Sequence, residues 1–171
     1  DGFGYLGDLR RAVVLVTAAG ENSGAVTPIA AGEFDLHTPV WSPDGARLAV
    51  VGNLGADADT VRRQFVYLID AEKPAGERQK LAGLEDVRHT RVAWSPDGAQ
   101  NALAGHHDPD LGHYGNQQLW TIDVATGEKR SLTKDRDWTL GHAAYTDVGR
   151  YAGDFGLRWL PDGRHVLALV S

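Results

Sequence analysis

Apolar residues in this chain come in short runs, rich in β-branched side chains and bounded by Gly, Pro, Asp and Ser. The runs lie at 12–16, 25–29, 47–52, 65–70, 100–105, 117–123 and 166–169. No segment sustains a 3.6-residue apolar period; at most a turn or two of helix fits in 137–146. Many short strands separated by turn residues predict an all-β, antiparallel chain.

One turn organises these runs. Trp41-Ser42-Pro43-Asp44-Gly45 returns as Trp94-Ser95-Pro96-Asp97-Gly98, and in altered form as Trp159-Leu160-Pro161-Asp162-Gly163. Each copy closes one apolar run and opens the next. Pro at the second position has its φ fixed where a type I turn needs it. Asp at the third tolerates the bridge region and offers a carboxylate to a backbone N–H. Gly at the fourth supplies a left-handed residue, so the strands continue as a hairpin with a bulge. Leu160 in place of Ser removes one turn contact and leaves Pro161-Asp162-Gly163 intact.

The flanks of the corner repeat as well. After the first corner come a strand at 47–52, an Asp-rich loop at 53–63, a strand at 65–70, a turn through Pro74-Ala75-Gly76, and a strand near 78–82. After the second come 100–105, a loop at 106–116, 117–123, a turn at 124–128, and 129–133. Ile69-Asp70 and Ile122-Asp123 close the third strand of each unit, where the carboxylate can bond the turn that follows. The unit is four antiparallel strands, with the corner moving from 41 to 94 and then to 159. Repeated four-stranded units predict β-propeller blades. The chain then divides into the end of one blade (1–33), two full blades (34–84 and 85–133), and a link with the start of a fourth (134–171).

This topology sorts the connections. The tight turns at 42–45, 71–77, 95–98 and 124–128 share one end of the sheets, and the long segments 53–63, 106–116 and 134–156 share the other. Long loops on a rigid scaffold are where binding resides, so that face is expected to meet a partner domain or substrate. An arc of about three blades has two open faces, which points to a piece of a larger protein and allows homo-oligomers. The chain begins at Asp1 and has no Met, so position 1 is not read as a translation start.

Composition narrows the function classes. The net charge is −6 and the only adjacent basic pairs are Arg10-Arg11 and Arg62-Arg63, which argues against nucleic-acid binding. There is no Cys, so disulfides, thiolate metal sites and a Cys nucleophile are excluded. A Cys-free chain fits a reducing compartment and a cytoplasmic location. No membrane association is expected, since no apolar run approaches spanning length and no signal peptide is visible.

Candidate chemistry is sparse. Gly2, Gly4 and Gly7 fit the G-x-G-x-x-G spacing, but no strand precedes them and a β-branched run follows, so a Gly-rich surface loop is the better reading. His106-His107-Asp108-Pro109-Asp110-Leu111-Gly112-His113 concentrates imidazole and carboxylate, which suit transition metals. Its spacing matches no finger or zincin pattern, so a polar loop against a neighbouring domain is preferred and no metal or cofactor is expected. Arg136-Asp137-Trp138 and Arg150-Tyr151 set cations beside aromatics; they read as inter-blade packing before a carboxylate site. Trp41, Trp94, Trp120 and Trp159 recur with the strands and read as core or inter-blade contacts. None of Ser23, Ser42, Ser95, Ser131 and Ser171 sits in G-x-S-x-G, so no catalytic residue is assigned.

The three corners, with Leu-Ala-Val-Val after the first and strands such as 65–70 and 119–123, resemble the TolB-type propeller. The run from Asp1 to Asp8 before a strand, and 94–107 leading into Gly112-His113-Tyr114-Gly115, resemble the propeller of acylaminoacyl-peptidase-like members of the prolyl oligopeptidase family. The resemblance implies a seven-bladed ring over a separate α/β-hydrolase domain with a Ser-Asp-His triad, acting on short or N-acylated peptides. On that reading the present chain is its non-catalytic, access-restricting part. A stand-alone TolB-like interaction propeller is the alternative.

Overall fold

The computed structural model describes residues 10–30, 36–56, 64–73, 76–81, 91–106, 115–141 and 156–170. Among them there are twelve strands and no helix: β1 Val13–Val16, β2 Val26–Ala30, β3 Leu36–Trp41, β4 Arg47–Gly52, β5 Phe65–Asp70, β6 Arg78–Lys80, β7 Arg91–Trp94, β8 Gln100–Gly105, β9 Gln118–Asp123, β10 Lys129–Ser131, β11 Arg158–Trp159 and β12 Val166–Leu167. They form two four-stranded antiparallel sheets, β3-β4-β5-β6 and β7-β8-β9-β10, flanked by two-stranded sheets β1-β2 and β11-β12. Every sheet is an up-and-down meander, as the turn spacing predicts. The first strands β3, β7 and β11 neighbour one another in that order. Sheets whose first strands line up side by side are blades around an axis, and the chain is a β-propeller fragment.

Each corner is built from bonds within its own few residues. Gly45 N–H donates to the Ser42 carbonyl at 2.9 Å, and Gly98 N–H to Ser95 at the same distance. Both glycines have φ of +71°, where a Cβ would be strained. Ser42 Oγ donates to Asp44 Oδ1 at 2.6 Å and accepts from Arg47 N–H at 2.9 Å; Asp44 Oδ1 accepts from Ala46 N–H at 3.0 Å. Ser95, Asp97, Ala99 and Gln100 repeat this set. The serine hydroxyl, then the backbone N–H, hold the Asp44 and Asp97 carboxyls below the usual carboxylate range. In the third corner Leu160 has no hydroxyl; Asp162 keeps the bond from the N–H two residues on, Arg164, and meets the His165 imidazole where the serine would be. Asp70 and Asp123 cap the turns that follow them, through Glu72 N–H and through Ala125 and Thr126 N–H.

The corner tryptophans tie one sheet to the next. Trp94 donates its indole N–H to the Val40 carbonyl at 3.1 Å, and Trp159 donates to the Ala93 carbonyl at 3.1 Å. In both cases the acceptor is the residue just before the corner Trp of the preceding sheet. Trp94 is 8% exposed, whereas Trp41, at the same place in the first corner, is 44% exposed. The expectation that all four repeated tryptophans are buried contacts therefore fails at Trp41. One core cluster runs from Val13 through the first four-stranded sheet to Ile122 and Val124. A second joins Ala93, Ala102, Ala104 and Leu119 to Leu140, Leu157 and Trp159; the small alanines leave room for the indole.

Asn101 breaks the apolar pattern. It pairs with Trp94 across β7-β8, at the position Leu48 holds opposite Trp41. It is 0% exposed, and neither its Nδ2 nor its Oδ1 has a hydrogen-bond partner. A buried amide in that condition costs free energy that a Leu would not.

Other departures from expectation are local. β3 is irregular, with a register shift between His37 and Val40 and φ of +55° at Thr38. β6 and β10 are shorter than expected, ending at Lys80 and Ser131. Residues 137–141 hold no helix. Pro28 lies on β2, which pairs only with β1 among the described residues, as its missing N–H demands.

Three outcomes follow for stability. Gly98→Val forces a β-branched residue to positive φ and should cost about 1 kcal/mol or more in chemical denaturation. Asn101→Leu should raise stability by about 1–3 kcal/mol in the same assay, because it removes two unpaired buried polar atoms. The lowered carboxyls of Asp44, Asp97 and Asp162 favour folding at neutral pH, and that contribution disappears as acid protonates them below the ordinary carboxylate range. Asp97→Asn should therefore lower the melting temperature at pH 7, with the gap to wild type closing as pH falls; a gap independent of pH would contradict the assignment.

Candidate binding face

The long connections leave the sheets at the ends opposite the corners, and an aromatic on the third strand fixes the base of each loop. In the first sheet Tyr67 on β5 is buried, and its hydroxyl accepts from Leu54 N–H at 3.4 Å. Asn53 Oδ1 accepts from Gly55 N–H at 2.9 Å and turns the chain out of β4. Phe65 meets Tyr67 edge-on at 6.5 Å, with the Lys80 ammonium 3.7 Å from the Phe65 ring centre. In the second sheet Trp120 occupies the place of Tyr67, and its indole N–H donates to the Gly105 carbonyl at 3.3 Å. His106, the place of Asn53, is buried against Gly115: a Cβ on Gly115 would stand 2.9 Å from His106 Cγ. A glycine there lets the returning chain cross the imidazole face.

The link after β10 is strapped across this end. Leu119 N–H donates to Thr133 Oγ1 and Gln117 N–H to Thr139 Oγ1, both at 2.9 Å. Leu140 N–H donates to the Gln117 carbonyl at 2.8 Å, and Leu140 bridges Val170. Asn116 Nδ2 donates to Asp137 Oδ1 at 3.2 Å. The Arg136 guanidinium lies 5.4 Å over the Trp138 ring. Trp138 is 45% exposed, so the Arg136–Trp138 pair faces solvent and the inter-blade contact falls to Leu140, which is buried. Sequence reasoning assigned that contact to the wrong residue. The missed signal is the spacing that brings Thr139-Leu140 back beside Gln117.

Among the described residues, the exposed surface of this end thus includes a planar cation on an aromatic ring, beside a carboxamide–carboxylate pair. Such a surface can hold a carboxylate or a backbone amide. Among the described residues the serines are held in structural bonds. Ser42 and Ser95 are buried in their corners, Ser23 Oγ contacts the Ala18 carbonyl, and Ser131 Oγ bonds Gln118 Oε1. Of the His106–His113 run only His106 lies within the described residues, as does none of Gly2, Gly4, Gly7, Arg150 and Tyr151. Among the described residues no three His, Cys, Asp or Glu side chains gather as metal ligands. No helix among them is long and apolar enough to cross a membrane.

The opposite end carries an open groove of about 680 Å³, lined by Asp44, Arg47, Asp70, Glu72 and Glu77. Asp44 and Asp70 are engaged in their own turns, and Arg47 reaches over the Trp94 ring at 5.4 Å. This groove belongs to the tight-turn scaffold.

No family model matches the sequence, and no curated protein is detectably similar to it. Solved structures do resemble it. TolB from Acinetobacter baumannii is 18% identical with a TM-score of 0.56, over 91% of this chain and 34% of that one. An oligogalacturonate lyase from Vibrio parahaemolyticus is 17% identical with a TM-score of 0.61, over 86% of this chain and 36% of that one. A puromycin hydrolase is 19% identical with a TM-score of 0.50, over 67% of this chain and 16% of that one. The chain thus spans about a third of the TolB and lyase chains it matches. At these identities the likeness is one of fold, and the fold is the β-propeller.

Proposed function

We propose that this chain is a non-catalytic propeller segment of a cytoplasmic serine oligopeptidase of the acylaminoacyl-peptidase kind. Its role there is to restrict the access of short or N-acylated peptides to a separate α/β-hydrolase domain. The observation that carries this reading is the division of the chain into two unlike ends. One is closed by short, internally bonded corners. The other bears every long connection and an exposed Arg136–Trp138 pair beside Asn116 and Asp137. A cation and a carboxamide at that end suit the carboxylate and amide groups of peptides or of a domain seated there. The described serines are structural, which fits chemistry carried by another domain. The fold likeness to a puromycin hydrolase supports the same direction.

A second reading is a TolB-like interaction propeller without enzymatic activity. The observation in its favour is coverage: the TolB likeness extends over 91% of this chain, the hydrolase likeness over 67%.

One assay separates the two. The protein that contains this segment should hydrolyse acylaminoacyl or aminoacyl chromogenic substrates, and a serine-reactive reagent should abolish the activity. Arg136→Ala combined with Trp138→Ala should raise KM for peptide substrates several-fold and leave the melting temperature within about 2 °C, as expected of exposed positions. No hydrolysis in the presence of a bound protein partner would favour the TolB-like reading.

A further inference from the structure

The link after β10 forms an arch on its own sheet. Its feet are Thr133 and Thr139, whose hydroxyls accept the N–H groups of Leu119 and Gln117, both at 2.9 Å. Leu140 N–H closes the second foot on the Gln117 carbonyl at 2.8 Å. Inside the arch Arg136 N–H donates to the Thr133 carbonyl at 3.1 Å and tightens the turn. The residues between the feet, Lys134 through Trp138, are all exposed.

The groups on this crest are not equally available. The Asp137 carboxylate is taken up by Asn116 Nδ2. Arg136 makes no ion pair among the described residues; its guanidinium lies 5.4 Å over the Trp138 ring. Stacking leaves the N–H donors along the edge of the guanidinium open to a carboxylate. Trp and Arg are the residue types that dominate binding energy at protein–protein contacts, and charged residues such as Lys134 and Asp135 suit the polar rim of one. The feet and the stacking fix the crest in advance, so little conformational freedom is lost when a partner covers it.

The place of the arch in the sheet selects the kind of partner. The first strands β3, β7 and β11 stand side by side next to the axis, and β10 is the opposite edge of its sheet. The arch leaves directly from β10, so it stands at the outer rim of the loop end. A peptide moving along the axis passes the first strands and does not meet the rim. A domain seated over the whole face does.

We propose that this arch is a docking point for the separate α/β-hydrolase domain. Arg136 receives an Asp or Glu carboxylate of that domain, and Trp138 fills an apolar recess on it. The inference rests on the peptidase reading, and it assigns the Arg136–Trp138 pair to the joint between domains and not to the substrate.

Hydroxyl-radical footprinting of the whole protein reads the contact directly. Trp138 should be modified about tenfold more slowly in the wild type than in Arg136→Glu, because the reversed charge repels the carboxylate and lifts the domain away. Arg136→Glu should also raise KM several-fold for free-acid and C-terminally amidated peptides alike. Equal modification of Trp138 in the two proteins overturns the docking. A KM change confined to free-acid peptides overturns it as well, since the peptide's own carboxylate would then be on Arg136. In both of those outcomes serine-dependent hydrolysis persists and the peptidase reading stands. Absence of serine-dependent hydrolysis overturns that reading, and the docking with it.

Discussion

The indole N–H of a corner tryptophan, donated to the first strand of the sheet before it, is the contact that makes separate hairpins into one structure. Trp94 reaches Val40 across 54 positions, and Trp159 reaches Ala93 across 66. An indole has one donor and a large apolar body. When it is buried between two sheets the donor must find an acceptor there, and a strand carbonyl facing the neighbouring sheet is what it meets. That pairing fixes which residue lies beside which, and so fixes the spacing between blades. The rest of the interface adapts to it: alanines at 93, 102 and 104 make space for Trp159, and the Arg47 guanidinium covers the Trp94 ring.

The corner is rigid for local reasons. Ser, Asp and Gly bond one another and the returning strand within six residues, so the turn is shaped before the sheets pack. Long loops can then vary at the other end without disturbing the scaffold. That separation of labour supports placing recognition at the loop end, around Arg136, Trp138, Asn116 and Asp137. The link 132–141 joins scaffold and loop surface at that end. Its Thr133 and Thr139 hydroxyls tie it to β9, Leu140 enters the core, and Trp138 stays in solvent.

The strand plan, the corner geometry and the Asp caps were legible in the sequence because each depends on residues a few positions apart. Positive φ at Gly45, Gly98 and Gly163, and the carboxylate bonds of Asp44 and Asp97, are what the Trp-Ser-Pro-Asp-Gly pattern requires. The candidate binding face was legible only in outline. Topology sorted long loops from tight turns, but nothing in Arg136-Asp137-Trp138 tells that all three stay exposed while Leu140 turns inward. Asn101 shows the same limit. Asn is a surface residue by default, yet this strand is covered on both faces, and an amide sits where Leu48 does in the repeat before.

What the sequence determined by itself is the repeat: antiparallel strands in fours, hinged on a turn whose chemistry is complete within its own residues. What only the tertiary structure decided is the fate of equivalent side chains. Trp41 and Trp94 occupy the same place in the same motif. One is open and the other buried, because burial depends on what packs against a residue, and a residue's own sequence carries no record of its neighbour.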